Sequence, residues 1–340
     1  MASQRKWISG LLLSGGLALA LSGCGSSGSG GAANEAAGND GAAPEAGAKL
    51  KVAATIYPMA EFARQVGGAH VDVVPLVPTG VEPHDWEPSA KDMAAISDAD
   101  VFVYNGIVES WAEQAIGSAA NPNRVVVEAS HGLAELEGID DGHHHGEEEH
   151  ADEHADEHAD EHADEHAKDP HVWLDPVLAQ QEVRAIQKGL EQADPEHKED
   201  YAKNADAYIA KLEELNQQFV SELKGSKRKD FVTSHAAFAY LAERYGLKQV
   251  PISGLSPEQE PSPEQMAQVI EFVREHQVKT IFFETLVDSK LADTIAAETK
   301  AGTDVLNPLE GLTKEQADAG EDYISIMKSN LKALVDALNG

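Results

Sequence analysis

The sequence predicts an α/β protein of two lobes, each made of parallel-sheet βα units, joined by one long helix. Three observations carry that expectation. Short apolar runs of strand length alternate with stretches of helical spacing through most of residues 49–340, the rhythm of parallel βαβ units. That alternation is broken by a helical periodicity running from Pro195 to Leu223. The chain has 340 residues, 42% of them apolar, enough to bury two cores of ordinary size.

Taken in order, residues 50–56 form a β-rich run, and Met59, Phe62 and Val66 then recur at helical spacing after Tyr57-Pro58 until Gly67-Gly68. A strand is expected over 71–77, stopped by Pro78 and Gly80. The loop GVEPHDWEP follows, and Ser89 caps a helix carrying Met93, Ala94 and Ile96. Strands over 100–104 and 124–127 flank a helix with Trp111 and Ile116. Asp175-Pro176 is an acidic cap with proline at the first helical position, leading into Val177, Val183, Ile186 and Leu190. In the long stretch, Tyr201, Ala205, Tyr208, Leu212, Leu215 and Phe219 recur every three or four residues, which predicts a helix roughly 40 Å long. Strands are then expected over 230–233, 249–252, 278–283 and 304–306, with helices ending at Gly246 and over 263–276, 290–299 and 321–338.

The resulting division is a signal segment over 1–23, a tether over 24–48, a first lobe over 49–193 and a linking helix over 194–225. A second lobe follows over 226–340, and a His/Asp/Glu-rich loop over 138–168 interrupts the first. Arg5 and Lys6 precede an apolar run that ends in Leu21-Ser22-Gly23-Cys24, the pattern of a secretory signal. Leu-Ser-Gly-Cys resembles a bacterial lipobox, which implies cleavage before Cys24 and lipid on it. With one cysteine in the chain no intrachain disulfide can form. The Gly, Ala and Ser of 24–48 cannot offset their ordering entropy, and as a coil they span on the order of 25–30 Å.

With 59 acids against 26 bases, the formal charge is −33. Such a surface repels phosphate backbones, so nucleic acid is not an expected partner. It does attract cations. His143, His144, His145, His150, His154, His158, His162 and His166 sit in an acidic repeat, a composition that points to divalent transition metal. The five from His150 onward recur every four residues, so neighbours could share a helix face and chelate. The segment has almost no large apolar residue and is expected to be disordered without metal. The repeat also spells H-x-x-E-H, as in His150 to His154, a zinc-peptidase pattern. Repetition within a polar loop argues against one rigid catalytic centre, and no nucleophile elbow or phosphate-cradling loop is present, so no enzyme is expected.

His84, His171 and His235 lie in loops at or just before helix starts, and His84 and His235 follow the carboxyl ends of expected strands. Ligands of open α/β sheets gather there. Around these residues stand GVEPHDWEP, NGIVESW, DPHVWLDP, SHAAFAY, EPSP and NPLEG, in that order. In this arrangement the chain resembles the ZnuA-like metal-binding lipoproteins of bacterial ABC uptake systems for zinc and manganese.

The resemblance implies a metal site at the interface of two lobes joined by a rigid helix, with His84, His171 and His235 as ligands. It implies Glu310 of NPLEG as the fourth ligand, with Glu284 as runner-up and water as a further possibility. Manganese-binding relatives tend to carry an acid at the position of His235, and three imidazoles with one carboxylate suit tetrahedral zinc, so Zn²⁺ is the expected cargo and manganese the alternative. The implied partners are an ABC permease and its ATPase subunit. The chain is expected to act as a lipid-anchored monomer outside the cytoplasmic membrane, on the cell surface or the periplasmic side. The repeat would be an accessory zinc collector. Zinc affinity should fall below about pH 6.5 as the imidazoles protonate. A metal-dependent surface adhesin and a zinc peptidase are the remote alternatives.

Overall fold

Two four-stranded parallel sheets with the same strand order form the frame. In the first, β1 (Leu50–Ala54), β2 (Val71–Pro75), β3 (Val101–Tyr104) and β4 (Val125–Glu128) run in the order β2-β1-β3-β4. In the second, β5 (Asp230–Thr233), β6 (Lys248–Pro251), β7 (Thr280–Phe283) and β8 (Gly302–Val305) run β6-β5-β7-β8. The structure, a computed structural model, describes residues 49–119, 121–138 and 168–340, all within one compact unit, Ala46–Gly340. The signal segment, Cys24, the tether and the histidine repeat lie outside the described residues. Among the described residues no helix is long and apolar enough to cross a membrane.

Each sheet is covered on both faces, as parallel sheets must be. The strand β3, Val-Phe-Val-Tyr, is accordingly buried at every position. On one face of the first sheet lie α2 (Ala90–Asp98) and α3 (Ala112–Ser118), enclosing Leu76, Ile96, Phe102 and Ala115. On one face of the second lie α7 (Pro263–Glu275) and α8 (Lys290–Thr299), around Val269, Ile281 and Ile295. The inner faces share a core with α1 (Tyr57–Gly67), α4 (Pro176–Ala193), α5 (Lys198–Leu223), α6 (Ala239–Tyr245) and α10 (Tyr323–Asn339). In this core Phe62 of α1 meets Tyr208 of α5 at 5.9 Å and Tyr323 of α10 at 5.1 Å between ring centroids. One continuous apolar cluster thus runs from the first sheet through α5 to the second. Gly189 lets α4 lie close to β4, because a Cβ there would stand 2.2 Å from Val127.

The sequence places all eight strands to within a few residues. The long helix differs at its start: Pro195–His197 is a 3-10 turn and α5 begins at Lys198. Asp194 precedes that turn in a non-helical conformation (φ −138°), and its carboxylate accepts from His197 Nδ1 and the Tyr201 hydroxyl. The short α9 (Lys314–Ala319) has no buried residue, so hydrophobic periodicity could not reveal it. Its Thr313-x-x-Gln316 capping box could have.

Glu182 of α4 is fully buried, and neither carboxylate oxygen has a hydrogen-bond partner among the described residues. Burial, and then the nearby Glu109, push its carboxyl well above the usual range. An acid with a raised folded-state pKa costs stability as pH climbs past its unfolded value. Glu182→Met should therefore stabilise the fold by about 1–3 kcal/mol at pH 8 and by less at pH 5. Denaturant unfolding at the two pH values checks this, and unchanged midpoints would refute it.

Candidate metal centre

The two sheets present the carboxyl ends of their strands to the same space. His84 stands in the connection after β2, His171 at the end of the connection after β4, His235 just after β5, and Glu310 in the loop after β8. Their donor atoms lie within 4.8 Å of one another, and this is the one group of three or more His, Cys, Asp or Glu so disposed among the described residues.

The three Nε2 atoms converge on one carboxylate oxygen. Glu310 Oε1 is 3.1 Å from His84, 3.1 Å from His171 and 3.4 Å from His235, and the Nε2 atoms of His171 and His235 are 3.3 Å apart. A tetrahedron with bonds of about 2.0–2.1 Å has edges of roughly 3.3–3.4 Å. The cluster is therefore close to the size of a zinc site before any ion is added. The imidazole rings are splayed, with centroids 5.2–5.9 Å apart, as rings sharing one centre must be. By contrast His70 and His197, elsewhere on the surface, stack at 3.9 Å.

Two of the three imidazoles are aimed from behind by carboxylates. Asp169 Oδ1 lies 2.8 Å from His171 Nδ1 and accepts from the His171 backbone N–H at 2.9 Å. Glu284 Oε1 does the same for His235, at 2.7 and 3.2 Å. A carboxylate on Nδ1 fixes the tautomer and turns the Nε2 lone pair toward the centre. Glu284, the runner-up fourth ligand, is thus outside the converging group: β7 lies beside β5, so its end meets the back of His235. Sequence reasoning gives Asp169 of DPHVWLDP no role, and its place two residues before His171 is the signal that points to one.

The loop bearing Glu310 is held tightly. Leu309 is fully buried yet left-handed, with φ 59°, a conformation that costs a β-carbon-bearing residue roughly 1–3 kcal/mol. Asn307 Oδ1 accepts from Leu309 N at 2.7 Å, and Asn307 in turn exchanges two bonds with Asn330. Trp173 Nε1, two residues beyond His171, donates to Pro308 O at 2.8 Å. His84 is the least enclosed of the four, with a side chain 11% exposed. Its backbone N–H donates to Glu82.

Burial alone would lower the imidazolium pKa values, but the acids outweigh it. His171 is raised by Asp169 and then Glu310, and His235 is raised well above the usual value by Glu284 and Glu310. Burial would likewise raise Glu310, yet His235 and the other imidazoles hold it well below the carboxylate range. The centre thus sets an ionised carboxylate against two imidazoles, His171 and His235, whose protons the neighbouring acids hold more tightly. A divalent cation is what this donor set accepts in place of those protons.

The chain's relatives agree with that chemistry. Residues 52–337 match the family described as ZnuA, zinc-uptake complex component A, periplasmic. The High-affinity zinc uptake system protein ZnuA of Bacillus subtilis (strain 168) is 48% identical over 335 residues, covering 98% of each chain. The Zinc-binding lipoprotein AdcA of Streptococcus pneumoniae (strain R6) is 44% identical over 294 residues, 85% of this chain and 56% of that protein's length. A crystal structure of Zn(II)-bound AdcA from Streptococcus pneumoniae superposes with a TM-score of 0.71 at 41% identity, over 86% of this chain and 58% of that one.

Proposed function

The chain belongs to the ZnuA family of zinc-uptake components, and from that premise we propose that it captures zinc outside the cytoplasmic membrane and delivers it to an ABC permease driven by a separate ATPase. The observation that carries the proposal is the convergence of three Nε2 atoms and one carboxylate oxygen from both lobes. His84, His171, His235 and Glu310 supply four donors, three of them neutral imidazoles when loaded, a set that favours zinc over manganese. The four corners of the tetrahedron are filled, whereas catalytic zinc keeps a position open. This supports carriage of the ion rather than catalysis upon it.

Zinc here is cargo, held by imidazoles whose backing carboxylates, Asp169 and Glu284, keep them aimed while the ion comes and goes. Lipid on Cys24 would hold the monomer at the membrane, and AdcA is itself named a lipoprotein. The histidine repeat, which lies outside the described residues, acts as an accessory zinc collector, a role its density of imidazole and carboxylate supports.

Calorimetry on the full chain and on one lacking 142–167 tests both parts. Each should bind one zinc tightly, with the full chain taking up further, weaker ions that manganese does not match. Loss of the tight event on removing 142–167 would overturn the division between centre and repeat. A strain lacking the protein should fail to grow under zinc chelation; normal growth would refute uptake.

A further inference from the structure

The connection that carries the histidine repeat is closed by a residue of the opposite lobe. At its base Asp169 N donates to Leu136 O at 3.0 Å, and Glu137 and Lys168 face each other in an isolated antiparallel bridge. An antiparallel hydrogen-bonded pair normally returns a second bond, here from Leu136 N to Asp169 O. Instead the Tyr240 hydroxyl stands between them, accepting from Leu136 N at 3.1 Å and donating to Asp169 O at 3.1 Å. Tyr240 lies on α6 of the second lobe and is 6% exposed. The residue it grips is the one whose carboxylate holds both His171 N and His171 Nδ1.

We propose that Tyr240 is a positioning residue of the zinc centre: its hydroxyl closes the base of the connection from the opposite lobe and so keeps Asp169, and through it His171, in ligating geometry. The proposal rests on the zinc reading above. Its physical reason is chain length. Holding two ends together costs more as the chain between them grows, and ~30 residues separate Leu136 from Asp169. Among the described residues the Leu136–Asp169 bond and the Glu137–Lys168 bridge tie the ends of this long connection, and the hydroxyl links Leu136 to Asp169 a second time. Asn105 secures the next carbonyl, donating from Nδ2 to Pro170 O at 3.2 Å, but Asn105 belongs to the same lobe and does not bridge the two ends.

The test is a double-mutant cycle: Tyr240→Phe in the full chain and in a chain with 139–167 replaced by Gly-Ser-Gly, with zinc affinity read by chelator competition. Loss of an orienting group behind a ligand histidine typically weakens metal binding by about 10–100-fold. About tenfold is expected in the full chain and less than about twofold in the shortened one, where the short connection itself holds the ends. Equal losses in both chains, or none in the full chain, would overturn the proposal. So would a fall in melting temperature without a change in affinity, the mark of a purely structural role. Should neither parent chain bind zinc, the zinc reading fails separately. The positioning is then read from the His171 Nδ1–H proton resonance, which Tyr240→Phe should shift in the full chain alone; an unmoved resonance refutes it.

Discussion

His171→Ala should abolish tight zinc binding, lowering affinity by about two to three orders of magnitude while leaving the metal-free chain folded. A four-ligand zinc site is worth roughly 10–16 kcal/mol, so one ligand of four carries about 3–4 kcal/mol, a factor of ~10²–10³. His171 is the most informative of the four to remove. It is fully buried, touches both Glu310 and His235, and is aimed by Asp169. Alanine there leaves three donors and an open corner, and water filling that corner brings no fixed orientation. Competition titration against a chelator of known affinity measures the loss. Full affinity in His171→Ala would show that the tight zinc is held elsewhere in the chain. A melting temperature within a few degrees of the parent would show that the loss concerns the ligand and not the fold.

Much of the frame can be read directly because it is local. Eight short apolar runs give eight strands, and the spacing of Tyr201, Tyr208, Leu215 and Phe219 gives α5, since all four are buried on one stripe. His84, His171 and His235 could be grouped because strand ends in open α/β sheets face one crevice. What stays hidden is whatever depends on contacts distant in sequence. Glu284 could be a ligand or a partner of one, and only the pairing of β5 with β7 places it behind His235. Tyr240 and Leu136 are 104 residues apart, and no pattern in either segment announces their bond. Glu310 is legible only through family resemblance; the left-handed turn at Leu309 that aims it has no signature, because leucine is not a residue that favours such a turn.

Zinc affinity should keep rising with pH through the neutral range instead of levelling off above about pH 6.5, the ordinary imidazole value. Zinc binds only free-base imidazole, so every proton held by the metal-free centre must leave. His171 and His235 are both raised, which moves the competition upward from the window that unperturbed histidines would give. The 3.3 Å contact between their Nε2 atoms disfavours two full charges there, and His235, with Glu284 behind it and Glu310 before it, is the stronger proton holder. Glu310 contributes no proton near neutrality because its carboxyl is held well below the usual range.

Proton release per zinc should therefore grow as pH falls from 7.5 to 5.5, and affinity should drop with it, by about tenfold per pH unit for each proton released. Stability of the metal-free chain runs the other way over part of that range. Raised histidines stabilise the fold below their unfolded pKa, and that contribution disappears as pH climbs through the folded one. The depressed Glu310 stabilises above its own unfolded pKa and is lost only in acid. Zinc replaces the protons as the counter-charge to Glu310, so the melting-temperature gap between loaded and metal-free protein should widen from pH 6 to pH 8. Calorimetry in buffers of different ionisation enthalpy counts the protons. Zero release at pH 7.5 would mean the imidazoles are already neutral, and the acids behind them would then orient the rings without holding any charge on them.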